Sequence, residues 1–323
     1  MAIVFSNILV AAEQGEGIDK AFHVKSAGTN LYLKVRGQDT GNPVLLYLHG
    51  GPGEANGPLL FQAYAGPELE KHFIVGYLHQ RNTCMSPVAP DSTLTIRHFI
   101  EDIDRVVSFL REEFKKDKIF LLGHSFGGGL GYLYLLEHAD NIEKFVSAGG
   151  AFSTSGIEEN GYQTTMTLAE QAENQEAVKK LTDLGPPPYK TFGEGIVWRM
   201  IAMNLLNNMN EGIARNLEME KVMAVTGIES VDPAWMKKSM TIANTMWSEL
   251  GTINLEEKVK NIGVPMLIIA GARDIMVPFS ILEKGYGNYG GEKEYLILEN
   301  SNHMMFIDEP GPFVSKVIEY FRK

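Results

Sequence analysis

The sequence predicts an α/β fold: a mostly parallel central sheet with helices on both faces and an inserted helical cap. Three observations predict it. Short continuous apolar runs recur, as expected of strands buried on both faces. Segments with helical spacing lie between them. From about Ser153 to Lys260 the strand signals vanish, and then the alternation resumes.

Residues 22–26 and 31–35 read as a hairpin around Ala27-Gly28-Thr29-Asn30. The runs 44–48 (VLLYL), 73–78 (FIVGYL) and 119–122 (IFLL) read as buried strands, with 145–148 (FVSA) a fourth. Between them, Ile96, Phe99, Ile100, Ile103, Val106, Val107, Leu110 and Phe114 mark one helix face, and Asp91-Ser92 are its candidate caps. A second helix is expected over 130–138, after the glycines at 127–129.

The interruption is rich in Met, Glu and Asn. Nine of the fifteen methionines fall between Met166 and Met246, which sets this segment apart from the sheet-forming parts. Residues 153–250 are therefore expected to form the cap, with 1–152 and 251–323 forming one core. Beyond the cap, 266–270 (MLIIA) reads as a buried strand, 294–298 (EYLIL) as another, and 313–321 as a closing helix.

Bulk properties exclude several function classes. The net charge of −11 repels a phosphate backbone, so no nucleic-acid partner is expected. One cysteine, Cys84, permits neither an intrachain disulfide nor a Cys-based zinc site, and no His pair has metalloprotease spacing. No metal and no cofactor are expected. The apolar segment 3–12 ends in small residues, like a short export signal. It lacks a preceding Lys or Arg and is too short to span a bilayer, so the expectation is a cytoplasmic protein without a membrane span.

The chemistry is carried by four short stretches. Gly123-His124-Ser125-Phe126-Gly127 matches G-x-S-x-G between a predicted strand and a predicted helix, the context that aims a serine out of a tight turn. His49-Gly50-Gly51-Pro52-Gly53 follows the strand 44–48, and its glycines allow backbone N–H groups to approach a substrate. Gly51 and Phe126 are the expected oxyanion donors. A serine hydroxyl needs a base. Asp274 and His303 each follow a strand, at the functional edge of a parallel sheet, and the order Ser125, Asp274, His303 is the one expected for a nucleophile-elbow hydrolase. The expected reaction is two-step acyl transfer, with Ser125 attacking, His303 as base and Asp274 orienting it.

These motifs resemble the α/β-hydrolase superfamily over nearly the whole chain. Within it, the HGGPG loop at 49–53 and the segment from Gln80-Arg81 through Ser86 resemble the proline iminopeptidases. That resemblance implies release of N-terminal residues from short peptides, with carboxylates of the cap holding the free α-amino group. Two departures stand out. The family's Asp-Gln-Arg-Gly stretch has His79 for the Asp and Asn82 and Cys84 for glycines, and its Gly-Ser-Trp is His124-Ser125-Phe126, a form common in esterases and lactonases. Asp, the nucleophile of related dehalogenases and epoxide hydrolases, is absent from position 125.

The cap segment carries 13 acidic and 8 basic residues, an excess able to receive an amine. Glu194 and Glu249 are the candidate anchors, beside Trp198 and Trp247 as candidate substrate contacts. The expected substrate is a short peptide, with a small ester as the alternative.

Overall fold

The computed structural model describes residues 16–209, 212 and 216–323. The apolar segment 3–12 lies outside the described residues.

The chain opens with strands β1 (Ile18–Ser26) and β2 (Thr29–Gly37), a hairpin whose turn holds Gly28 at φ +72°. Then come β3 (Val44–Leu48), helices α1 (Gly57–Tyr64) and α2 (Gly66–Leu69), β4 (Ile74–Leu78) and α3 (Ile96–Glu113). β5 (Ile119–His124) runs directly into α4 (Phe126–His138), followed by β6 (Ile142–Ala148). Five helices follow: α5 (Thr154–Gln171), α6 (Gln175–Leu184), α7 (Phe192–Asn208), α8 (Met219–Thr226) and α9 (Pro233–Leu250). The chain closes with β7 (Met266–Gly271), α10 (Phe279–Asn288), β8 (Lys293–Leu298), α11 (Met305–Asp308) and α12 (Pro310–Arg322).

The strands form one sheet in the order β1-β2-β4-β3-β5-β6-β7-β8. β2 meets β1 and β4 antiparallel, and β4 through β8 are parallel. Alternate residues of one strand feed two separate cores. Val44, Leu46 and Leu48 join α3 and α4 on one face, while Leu45 and Tyr47 join α1 and α12 on the other. This is why the central strands read as unbroken apolar runs.

Two local readings need correction. α3 is not capped by Asp91-Ser92, which lie in a separate turn of 3₁₀ helix. Its cap is Thr95, whose hydroxyl accepts the His98 N–H. The run 294–298 is not a doubly buried strand: β8 is an outer strand, and Tyr295 is exposed.

β6 and β7 are immediate neighbours in register, Phe145 opposite Met266, although α5 to α9 lie between them in the chain. The two ends of that excursion are tied by a bridge between Ser153 and Asn254 and by a bond from Leu255 N–H to Phe152 O at 2.7 Å. The helices thus leave and re-enter beside the strand ends that carry the polar motifs. Among the described residues no helix is long and apolar enough to cross a membrane.

Candidate active site

Ser125 occupies the one-residue turn between β5 and α4, at φ +52° and ψ −119°. A side chain at positive φ is strained, and the surroundings must impose it. The Ser125 N–H is held by Ala148 O at 2.8 Å on the next strand. The flanking glycines are required by close approach. A Cβ at Gly123 would lie 2.3 Å from Gly127 O, and one at Gly127 would lie 2.2 Å from Leu48 O. The turn therefore packs against its own helix and against the end of β3, and Ser125 is left partly exposed.

The loop after β8 brings His303 to this serine. His303 Nε2 lies 2.9 Å from Ser125 Oγ, and its Nδ1 lies 2.8 Å from Asp274 Oδ2. Asp274 is fully enclosed, and its Oδ1 accepts the N–H groups of Met276 at 2.8 Å and Val277 at 2.9 Å. Burial alone would push this carboxyl up. The His303 ring and the two backbone donors outweigh burial and hold it below its ordinary value. Burial would likewise lower His303, but Asp274 and, after it, Glu54 outweigh burial and raise it. With Asp274 ionised, Nδ1 carries the proton and Nε2 faces the serine bare, the tautomer that can accept the hydroxyl proton.

Two further contacts hold the backbone of the loop that carries His303. Arg273 N–H bonds Ser301 O at 3.0 Å, joining the Asp274 and His303 loops. His124 Nε2 lies 2.9 Å from His303 O. Burial drives the His124 pKa down to about 3, so a neutral ring donates through Nε2 and leaves Nδ1 bare. Its Nε2 edge is thus turned to the His303 backbone. It also props the backbone of His303, a role sequence reasoning missed.

Opposite Ser125 lies the HGGPG loop. Gly51 (φ +131°) and Gly53 (φ +77°) hold backbone that side chains avoid. His49 anchors the loop: its Nδ1 lies 2.8 Å from Gly50 O, and its Nε2 accepts the Gln80 N–H at 3.3 Å. Among the described residues, neither the Gly51 nor the Phe126 N–H donates a backbone–backbone hydrogen bond. Phe126 also begins α4, where the helix end adds partial positive charge.

The chain has the α/β-hydrolase fold. A family model described as the α/β hydrolase fold matches residues 43–167. The hydrolase is 27% identical over 305 residues to a protein named probable aminopeptidase YbaC of Bacillus subtilis, covering 91% of this chain and 93% of that one. It is 26% identical over 306 residues to a proline iminopeptidase of Saccharolobus solfataricus, covering 91% and 89%. Among solved structures it matches an esterase, RhEst1, from a Rhodococcus species with a TM-score of 0.63 and 17% identity, covering 94% and 98%. Within its fold, the hydrolase resembles the proline iminopeptidases.

The structure accounts for the departures in the second motif. Asn82 and Cys84, where that group has glycines, keep left-handed backbone at φ +61° and +42°. Asn82 holds its turn by accepting the Ala89 N–H through Oδ1 at 3.2 Å. His79, in the Asp position, is buried and accepts the Met85 N–H at 3.3 Å. Arg81 makes a fully enclosed two-pronged pair with Asp102, at 2.7 and 2.6 Å. These residues brace the loop that holds His49 and stand outside the serine's contacts.

The cap residues singled out from sequence are not brought together at the serine. Glu194 is exposed and closes a capping box with Thr191 at the start of its own helix, α7. Glu249 reaches from α9 to accept the Ile96 N–H at 2.9 Å, at the start of α3. Both carboxylates serve helix N-termini. Trp198 is fully buried, with its Nε1 donating to Glu158 at 2.9 Å. Trp247 lines a cavity of about 370 Å³ together with Glu158, Glu159, Tyr189 and Pro186 to Pro188. Glu158 is the buried acid of this region, paired with Arg199 at 2.5 Å. It is followed by a second acid, the exposed Glu159, and nothing in the pattern told the two apart.

Proposed function

We propose that this hydrolase is a serine hydrolase working through an acyl-enzyme, and that it is an aminopeptidase of the proline iminopeptidase type acting on short peptides. The observation that carries the reading is the continuous hydrogen-bond chain from Ser125 through His303 to Asp274 at a strained strand-to-helix turn. Ser125 is the nucleophile, His303 the base and later the acid, and Asp274 the group that fixes the ring. The Gly51 and Phe126 N–H groups receive the oxyanion, each worth roughly 3 kcal/mol of barrier. Residues 153–250 serve as a cap over a core formed by 1–152 and 251–323.

The peptidase assignment draws on the two relatives named above and on the cavity at the start of α5. Its exposed acid, Glu159, suits an amine, and Trp247, Tyr189 and the prolines suit an apolar side chain. A second reading, a carboxylesterase or lactonase, is favoured by one observation. Glu194 and Glu249 are both engaged at helix ends, and Glu158 is already paired with Arg199.

Matched substrates separate the two: alanyl and prolyl p-nitroanilides beside short-chain p-nitrophenyl esters, each measured with Ser125→Ala. The variant is expected to lose at least about a thousandfold in kcat while keeping its fold. Hydrolysis that persists in Ser125→Ala overturns the mechanism. Serine-dependent cleavage of esters alone, with the anilides untouched, replaces the peptidase reading by the esterase one.

A further inference from the structure

The loop after HGGPG places one more carboxylate beside the site. Glu54 folds back beneath the loop toward the first residue of α1. A Cβ at Gly50 would lie 3.0 Å from Glu54 Oε2, 3.1 Å from His124 Nδ1 and 3.2 Å from Ser125 Cβ, so these three groups converge on one spot. Two of these atoms, Glu54 Oε2 and His124 Nδ1, are shut off from solvent and have no hydrogen-bond partner among the described residues. Gly57 also comes so near that a Cβ there would lie 2.5 Å from Oε2. Glycines at 50 and 57 thus leave room for this enclosed oxygen of a half-buried residue.

We propose that Glu54 is a positioning residue of the hydrolase: its carboxylate stabilises the protonated form of His303 and so sets the pH at which His303 works as a base. The inference rests on the assignment of His303 as base.

The groups facing Glu54 can be named element by element. Tyr47 and His49 come from the end of β3, His124 from the end of β5 and His303 from the loop after β8. His49 and His124 are kept neutral by burial, at about 4 and about 3, and Tyr47 is pushed well above its ordinary range. Of these four, His303 is therefore the one able to become a cation near neutral pH. It is faced in turn by Asp274 and, from α7, by Arg199, which opposes its protonation. Burial raises the Glu54 carboxyl to about 7, with His303 and the Gly50 N–H working against that rise. The pair thus exchanges charge in the pH range where His303 must cycle. As His303 takes the serine proton, the Glu54 anion gains a nearby cation.

The sign follows. An anion beside His303 raises its pKa, so removing the anion lowers it. The acid limb of the kcat/KM profile reports the protonation that silences the base. In Glu54→Gln, a change that keeps the shape and an acceptor toward Gly50, that limb is expected to move to lower pH by about one unit. The substrates are p-nitrophenyl acetate and alanyl p-nitroanilide, whichever is cleaved in a Ser125-dependent way, from about pH 5 to about pH 9. Glu54→Asp keeps the charge but withdraws it by one methylene, and the limb should move in the same direction by less.

A limb that stays in its native place in Glu54→Gln overturns the proposal, even if kcat falls, because a merely structural acid would lower the rate without moving the limb. If Glu54→Gln does not fold, an unmoved limb in Glu54→Asp overturns it equally. Failure of the underlying reading shows differently: Ser125→Ala then retains activity.

Discussion

Replacing Asp274 by asparagine keeps the shape of the site and changes one proton, and the structure says which one. Asp274 Oδ1 accepts two enclosed N–H groups, from Met276 and Val277, and Oδ2 accepts from His303 Nδ1. An asparagine has one oxygen and one NH₂ to divide between these two sides. The NH₂ cannot face Met276 and Val277, because donors would then meet donors, at roughly 1–3 kcal/mol for each buried group left unmatched. The oxygen therefore stays there and the NH₂ turns to His303. Nδ1 must become the acceptor, the ring proton moves to Nε2, and Ser125 loses its base. The expected fall in kcat is about 10⁴-fold, or about 5.5 kcal/mol of barrier. Steady-state rates on the substrate that Ser125 cleaves measure it, and ¹⁵N spectra of the His303 ring report the tautomer. An Asp274→Asn variant that folds, retains kcat within about tenfold of native and still carries its proton on Nδ1 would refute this reasoning.

Two other outcomes follow from the same geometry. Arg81→Met strands the Asp102 carboxylate in the interior, where burial already raises its pKa despite the partner, and should cost about 3–5 kcal/mol in urea unfolding. The double variant Arg81→Met/Asp102→Leu should regain most of that, and no recovery would count against the ion pair as the cause. Glu194→Ala removes the capping box of α7 and should cost about 1 kcal/mol of stability with KM for free-amine substrates unchanged. A rise in KM for free amines but not for esters would return Glu194 to the binding site.

The amino-acid pattern by itself determined the sheet and the edge at which Ser125, Asp274 and His303 meet. Runs such as VLLYL at 44–48 can be covered only when both faces are buried, so they announce central strands and, with helices between them, a parallel sheet. Ser125, Asp274 and His303 were legible because each follows a strand closely, and a parallel sheet delivers all such loops to one edge. The glycines around Ser125 were legible for a local reason: the turn leaves no room for a Cβ.

Tertiary structure decided everything that depends on partners distant in the chain. Glu249 read as a free carboxylate because its acceptor role is owed to Ile96, 153 positions away. The part His124 plays was not legible because its partner is the carbonyl of His303, 179 positions on. Thr95, not Asp91, caps α3 because the intervening turn sets where the helix begins. Glu54 carried no sequence signal, since an acid after a glycine-rich loop is ordinarily solvated. Only the packing of α1 and the His303 loop around it withdraws one of its oxygens from water, and that withdrawal gives the residue its influence on the site.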